Sequence, residues 1–90
     1  MTIKIADKDL ELPKIIIFKK TTSCGEDKIY KFVKKLNKKV AVYEHEYIST
    51  RTGVIVDKDT RYLEGYNMLG KALYYEQIKG IKSNIYQFIY

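Results

Sequence analysis

The chain has 90 residues, with 17 Lys and Arg against 11 Asp and Glu and a formal net charge of +6. That length leaves room for one domain and no second catalytic lobe, and 46% apolar residues, nine tyrosines and charges of both signs describe a packed chain rather than a disordered one. The single cysteine, Cys24, excludes an internal disulfide, and the longest apolar run, Ile15 to Phe18, is far shorter than the roughly 20 residues that cross a bilayer. A cytoplasmic protein with no membrane partner is therefore expected.

In chain order, Thr2 to Ile5 alternates apolar and polar residues, Asp7-Lys8-Asp9 can turn, and Leu10 and Leu12 resume the alternation, so residues 1–12 read as a β-rich lead. Pro13 punctuates it, and the β-branched run Ile15 to Phe18 reads as a buried strand. Ser23 with Glu26 three residues on has the pattern of a capping box. Behind it Ile29, Tyr30, Phe32, Val33 and Leu36 fit one face of a helix, with Lys28, Lys31, Lys34, Lys35 and Lys38 on the other.

Residues 40–48 read as a strand, with Val40, Val42, Glu44, Glu46 and Ile48 on one side and Tyr43 and Tyr47 on the other. Ser49 to Gly53 is a polar turn, Val54 to Val56 a short strand, and Lys58-Asp59-Thr60 a turn into a second helix that carries Tyr62, Leu63, Tyr66 and Leu69 and closes at Gly70. Ala72 to Lys79 and Asn84 to Tyr90 are rich in Tyr, Ile and Phe and read as strands. The sum is one α+β domain over residues 1–90, a mixed β-sheet with two main helices.

All of the net charge lies between residues 19 and 39, where eight lysines face only Glu26 and Asp27. Charge concentrated in this way attracts a polyanion or an acidic protein. The expected contacts are Lys19, Lys20, Lys28, Lys31, Lys34, Lys35, Lys38 and Lys39, with Arg51 as a further cation.

Conventional catalytic groupings are nearly absent, a Cys24–His45 pair being the one left geometrically open. His45 is the only histidine and lies on a different element from Cys24, and one histidine beside Glu44 and Glu46 makes a poor metal site. The glycines are scattered singly, with no phosphate loop. No catalytic residue, metal or cofactor is expected.

The segment from Gly53 through Val56-Asp57, Arg61-Tyr62 and Leu69-Gly70 resembles the signature of the ParB/sulfiredoxin-like superfamily, in which a strand ends in an acidic turn and a helix follows. The approach Phe18 to Ser23 is similar to that before the first helix of small members, and the likeness spans residues 13–80. It implies a phosphate-binding turn made by Asp57, Thr60 and Arg61. The family's Gly-His pair is Lys58-Asp59 here, so the resemblance implies binding and not hydrolysis. A weaker likeness to glutaredoxins, at Thr22-Ser23-Cys24, lacks the second cysteine, which is Asp27.

The first expectation is a small, basic, nucleic-acid-associated domain, binding without strong sequence preference and carried by a phage or other mobile element, for which the Lys-, Ile- and Tyr-rich composition suits an AT-rich genome. The alternative is a protein-interaction module, such as a phage-encoded inhibitor or regulator with an acidic partner. The β-prone, uncharged end Ile85 to Tyr90, in segment 81–90, also suggests a homodimer that covers this strand.

Overall fold

The computed structural model describes residues 1–19 and 25–90. Strands β1 (Thr2–Ile5) and β2 (Lys8–Glu11) form a two-stranded hairpin. Strands β3 (Ile15–Phe18), β4 (Lys28–Asn37), β5 (Val40–Ile48), β6 (Ile55–Glu64) and β7 (Tyr86–Ile89) form a five-stranded sheet in the order β6-β5-β4-β3-β7, with every neighbouring pair antiparallel. One helix, α1 (Met68–Tyr74), continues into a π-helical turn at Tyr75–Lys79. No helix among the described residues is long and apolar enough to cross a membrane.

The hairpin and the helix lie on the same side of the sheet. Alternation sends Ile3, Ile5, Leu10 and Leu12 inward from the hairpin, and they meet Ile16, Tyr30, Ala41, Tyr43, Leu63 and Phe88 from the sheet and Leu69 and Leu73 from α1. Tyr43 is fully buried, and its hydroxyl donates to the Pro13 carbonyl at 2.6 Å. Among the described residues no element covers the opposite face of the sheet.

This architecture overturns the expected mixed sheet with two main helices. The 28–37 segment is a strand, because Tyr30 and Phe32 alternate into the covered side while Ile29, Lys31 and Val33 point away. Register shifts between Phe32 and Lys34, and again between Lys35 and Asn37, insert extra residues into the ladder. Those bulges change the parity twice, so a period of two looks like a period near 3.6. Ser23, half of the expected capping box, lies outside the described residues.

The second expected helix, beginning at Thr60, is also a strand, since β6 runs through Asp57, Thr60 and Arg61 and pairs with β5 from Val40–Glu64 to Ile48–Ile55. Conversely, the strand expected over 72–79 is helical. Asn67 caps α1, its side chain accepting from Gly70 N at 3.0 Å and donating to the Tyr62 carbonyl at 2.6 Å. Gly70, expected to close a helix, stands in the first turn of α1 against the end of β6. The C-terminal strand forms as β7 and pairs only with β3, which makes it one edge of the sheet.

Gln77 ties the layers together. Its side-chain amide accepts from Glu11 N at 2.9 Å and donates to the Glu11 carbonyl at 2.8 Å, acting as a one-residue ladder partner for β2. Lys4 N donates to the Lys38 carbonyl at 2.8 Å, docking β1 against the turn between β4 and β5.

Candidate functional site

A strand presents successive side chains to opposite faces, so the lysines of β4 do not form the single helix face expected of them. Lys28 and Lys35 project on the covered side, and Lys31 and Lys34 on the open one. Lys38 and Lys39 occupy the β4–β5 turn, which Asn37 closes by accepting from Lys39 N at 2.8 Å. Lys19 follows β3, donating its backbone N–H to Ile85, and Lys20 lies outside the described residues. Arg51 sits in the β5–β6 loop at the far end of β5.

Even so divided, Lys34, Lys35, Lys38 and Lys39 remain together at one end of the sheet. Their cross-strand neighbours are apolar, Val42 opposite Lys34 and Ala41 opposite Lys35. Among the described residues ion pairs lie elsewhere, at Met1–Glu11, Lys4–Asp9, Lys58–Glu44 and Arg61–Asp59, and none of them involves the four lysines. A hollow of about 430 Å³ beside them is lined by Lys4, Asp7, Lys39, Glu64 and Tyr66 among others, with acids and bases mixed.

Asp57, Thr60 and Arg61 do not converge on a phosphate. Thr60 faces Glu44 on the open side, while Asp57 and Arg61 lie opposite Tyr47 and Tyr43 on the other. With a continuous strand in place of a helix start, no row of free backbone N–H groups points at a common site.

What the sequence did not disclose is a polar and aromatic cluster on the covered side, beyond the reach of hairpin and helix. The Tyr30 hydroxyl donates to Asp59 Oδ2 at 2.6 Å and accepts from Arg61 Nε at 3.4 Å, and Arg61 Nε lies 3.6 Å from Asp59 Oδ2. Tyr30's hydroxyl bond, aided by the charge of Arg61 and despite some desolvation, holds the Asp59 carboxyl below its ordinary value; burial first, then Asp59, pushes the Tyr30 hydroxyl up. His45 Nδ1 is 2.9 Å from the Ile29 carbonyl, an acceptor, so Nδ1 carries the proton.

Beside this cluster a row of rings crosses the sheet. Phe18 meets Tyr86 edge-on with centroids 5.2 Å apart, His45 meets Tyr47 edge-on at 4.7 Å, and Lys28 Nζ stands 5.6 Å from the Tyr47 ring centre. The signal was present as the spacing Lys28-Tyr30-Phe32 and Tyr43-His45-Tyr47, which a period of two places on one side. The arrangement contains no nucleophile held by a base, and no group of three or more metal-ligating side chains occurs among the described residues. Cys24 lies outside them. Compared with protein-family models, curated proteins and solved structures, the chain matches none.

Proposed function

We propose that this is a non-catalytic nucleic-acid-binding domain whose phosphate contacts come from the lysine end of the β4–β5 hairpin. The observation that carries the reading is the grouping of Lys34, Lys35, Lys38 and Lys39, none of which is ion-paired to a described carboxylate although Asp7 and Glu64 line the hollow beside Lys39. Bound nucleic acid supplies the missing negative charge and releases its own condensed cations. At the other end of β4 and β5, the half-buried rings of Tyr86, Phe18 and Tyr47, with Lys28 among them, offer surfaces on which unpaired bases stack when a nucleic-acid strand runs the length of the sheet. The lone cysteine suits a reducing cytoplasm, and the Lys-, Ile- and Tyr-rich composition suits an AT-rich genome, that of a phage or other mobile element among them.

Arg61 is engaged by Asp59 and Arg51 stands at the opposite end of β5, so bidentate reading of bases is not supported and binding is weakly selective for sequence. The same fact favours a second reading, an interaction module for an acidic protein, because a lysine does not distinguish phosphate from carboxylate.

The test is a salt series with short single-stranded and duplex oligonucleotides. Four phosphate contacts give a log–log slope of about −3 for single strands, so affinity falls roughly fifty-fold between 50 and 200 mM salt. Replacing Lys34, Lys38 and Lys39 by Gln flattens that slope. Absence of binding at the lowest salt removes the nucleic-acid reading and leaves the acidic-protein one.

A further inference from the structure

The uncovered face of the sheet has its own pattern. Ile89, Ile15, Lys31, Glu44 and Thr60 follow one another in register across the five strands. Beside them run Gln87, Ile17 and Ile29, with Glu46 opposite Lys58 further across, and then Lys34, Val42 and Tyr62. The half made by β7, β3 and β4 is thus mainly aliphatic, and the half made by β5 and β6 is mainly charged. Ile29 is 47% exposed and Val33 45%.

We infer that this face is the interface of a homodimer, covered by the same face of a second copy. The inference rests on the sheet face and shares only Lys34, at the border of that face, with the proposed nucleic-acid contacts. Aliphatic side chains on a twisted sheet pack against another such sheet about 10 Å away, whereas the rings suited to bases lie on the other side. The charges select the partner: Lys31, Lys34 and Lys58 stand among Glu44 and Glu46. A face that carries both signs offers a polyanion or an acidic protein no surface of one charge, while a copy related by a two-fold axis can set lysines against glutamates and glutamates against lysines.

Size sets the strength. Five strands about 4.8 Å apart give a face about 24 Å wide, and strands of these lengths make it about 20 Å long. Two copies then cover about 1,000 Å², the lower bound for a specific interface. The dimer is weak and forms as concentration rises. It differs from edge pairing through β7, which leaves this face bare.

Light scattering on two charge-altered chains tests it. One carries Lys31→Glu with Lys58→Glu, the other Glu44→Lys with Glu46→Lys, and circular dichroism checks that each keeps the wild-type strand signal. The wild type is expected to double its mass with concentration, each variant alone to stay monomeric, and an equimolar mixture to recover the doubled mass. Recovery on mixing cannot arise from misfolding of either chain. A wild type that stays monomeric, variants that dimerise alone as β7 edge pairing requires, or a mixture that fails to recover would each overturn the inference.

Discussion

Gly70 shows how narrowly the joint between sheet and helix is built. A Cβ added there would lie 1.7 Å from the Glu64 carbonyl oxygen and 2.5 Å from its carbon, and backbone cannot swing aside as a side-chain tip can. Gly70→Ala is expected to cost about 3 kcal/mol or more, at the upper end of overpacking losses, as measured by urea unfolding. At Asp59 the question is one of protons. Its folded pKa is depressed, chiefly by the Tyr30 hydroxyl, so its contribution is present above the unfolded carboxyl value of 3.8 and is lost as pH falls through the folded value. The stability advantage of wild type over Tyr30→Phe should therefore stand at neutral pH and shrink below about pH 4. Paired unfolding curves from pH 7 to pH 3 check this, and an advantage unchanged with pH would assign it to packing alone.

At the scale of elements, the β1–β2 turn carries a local conflict. Ile5 pairs with Lys8, leaving Ala6 and Asp7 as a two-residue loop with φ of 49° and 62°. Positive φ at both positions is the geometry of a type I′ turn, which favours Asn and Gly and costs an L-residue such as Ala about 1–2 kcal/mol. Ala6→Asn is expected to raise stability by about 1 kcal/mol, seen as a later urea midpoint with an unchanged slope. The β-rich lead, the strand at Ile15 to Phe18, the strand over 40–48 and the terminal strand were legible, because their alternation or branching is unbroken. The segment 28–37 was not, nor was 57–64, the continuation of the short strand expected at Val54 to Val56. Bulges disguised the period of the first, and the second is an exposed edge whose Asp57, Lys58 and Asp59 carry no apolar rhythm. Helix α1 was obscured by Tyr74 and Tyr75, ring-bearing residues that favour strands, although Leu69 and Leu73 hold the helical spacing. Of the candidate site, the lysines were legible as residues but not as a place, since the wrong element displayed them on the wrong geometry. The Tyr30–Asp59–Arg61 contact joins β4 to β6 through β5 and is not visible to any local window.

For the whole molecule, charge and shape are unevenly distributed. The Cα radius of gyration is 13.9 Å and the principal extents are 46 × 30 × 21 Å, an elongated form with four lysines outside its described ion pairs at one end of the sheet. Self-repulsion there opposes folding and is relieved by dissolved ions, whose screening length is about 10 Å at 0.1 M. Thermal midpoints are therefore expected to rise between low salt and 0.15 M, and to rise less in the Lys34/Lys38/Lys39→Gln chain. A rise of equal size in both would place the repulsion elsewhere.

The two borders of the sheet have unequal lengths, ten residues in β6 and four in β7. One is studded with Asp57, Lys58, Asp59 and Arg61, and the other is nearly free of charge. Strand-by-strand growth from molecule to molecule needs borders that match in length and tolerate each other's side chains. A long, charged border is a poor template for a short, apolar one, so head-to-tail addition of β6 to β7 is disfavoured. The consequence is that any pairing of molecules through these borders joins like to like, a closed two-fold contact rather than an open head-to-tail chain.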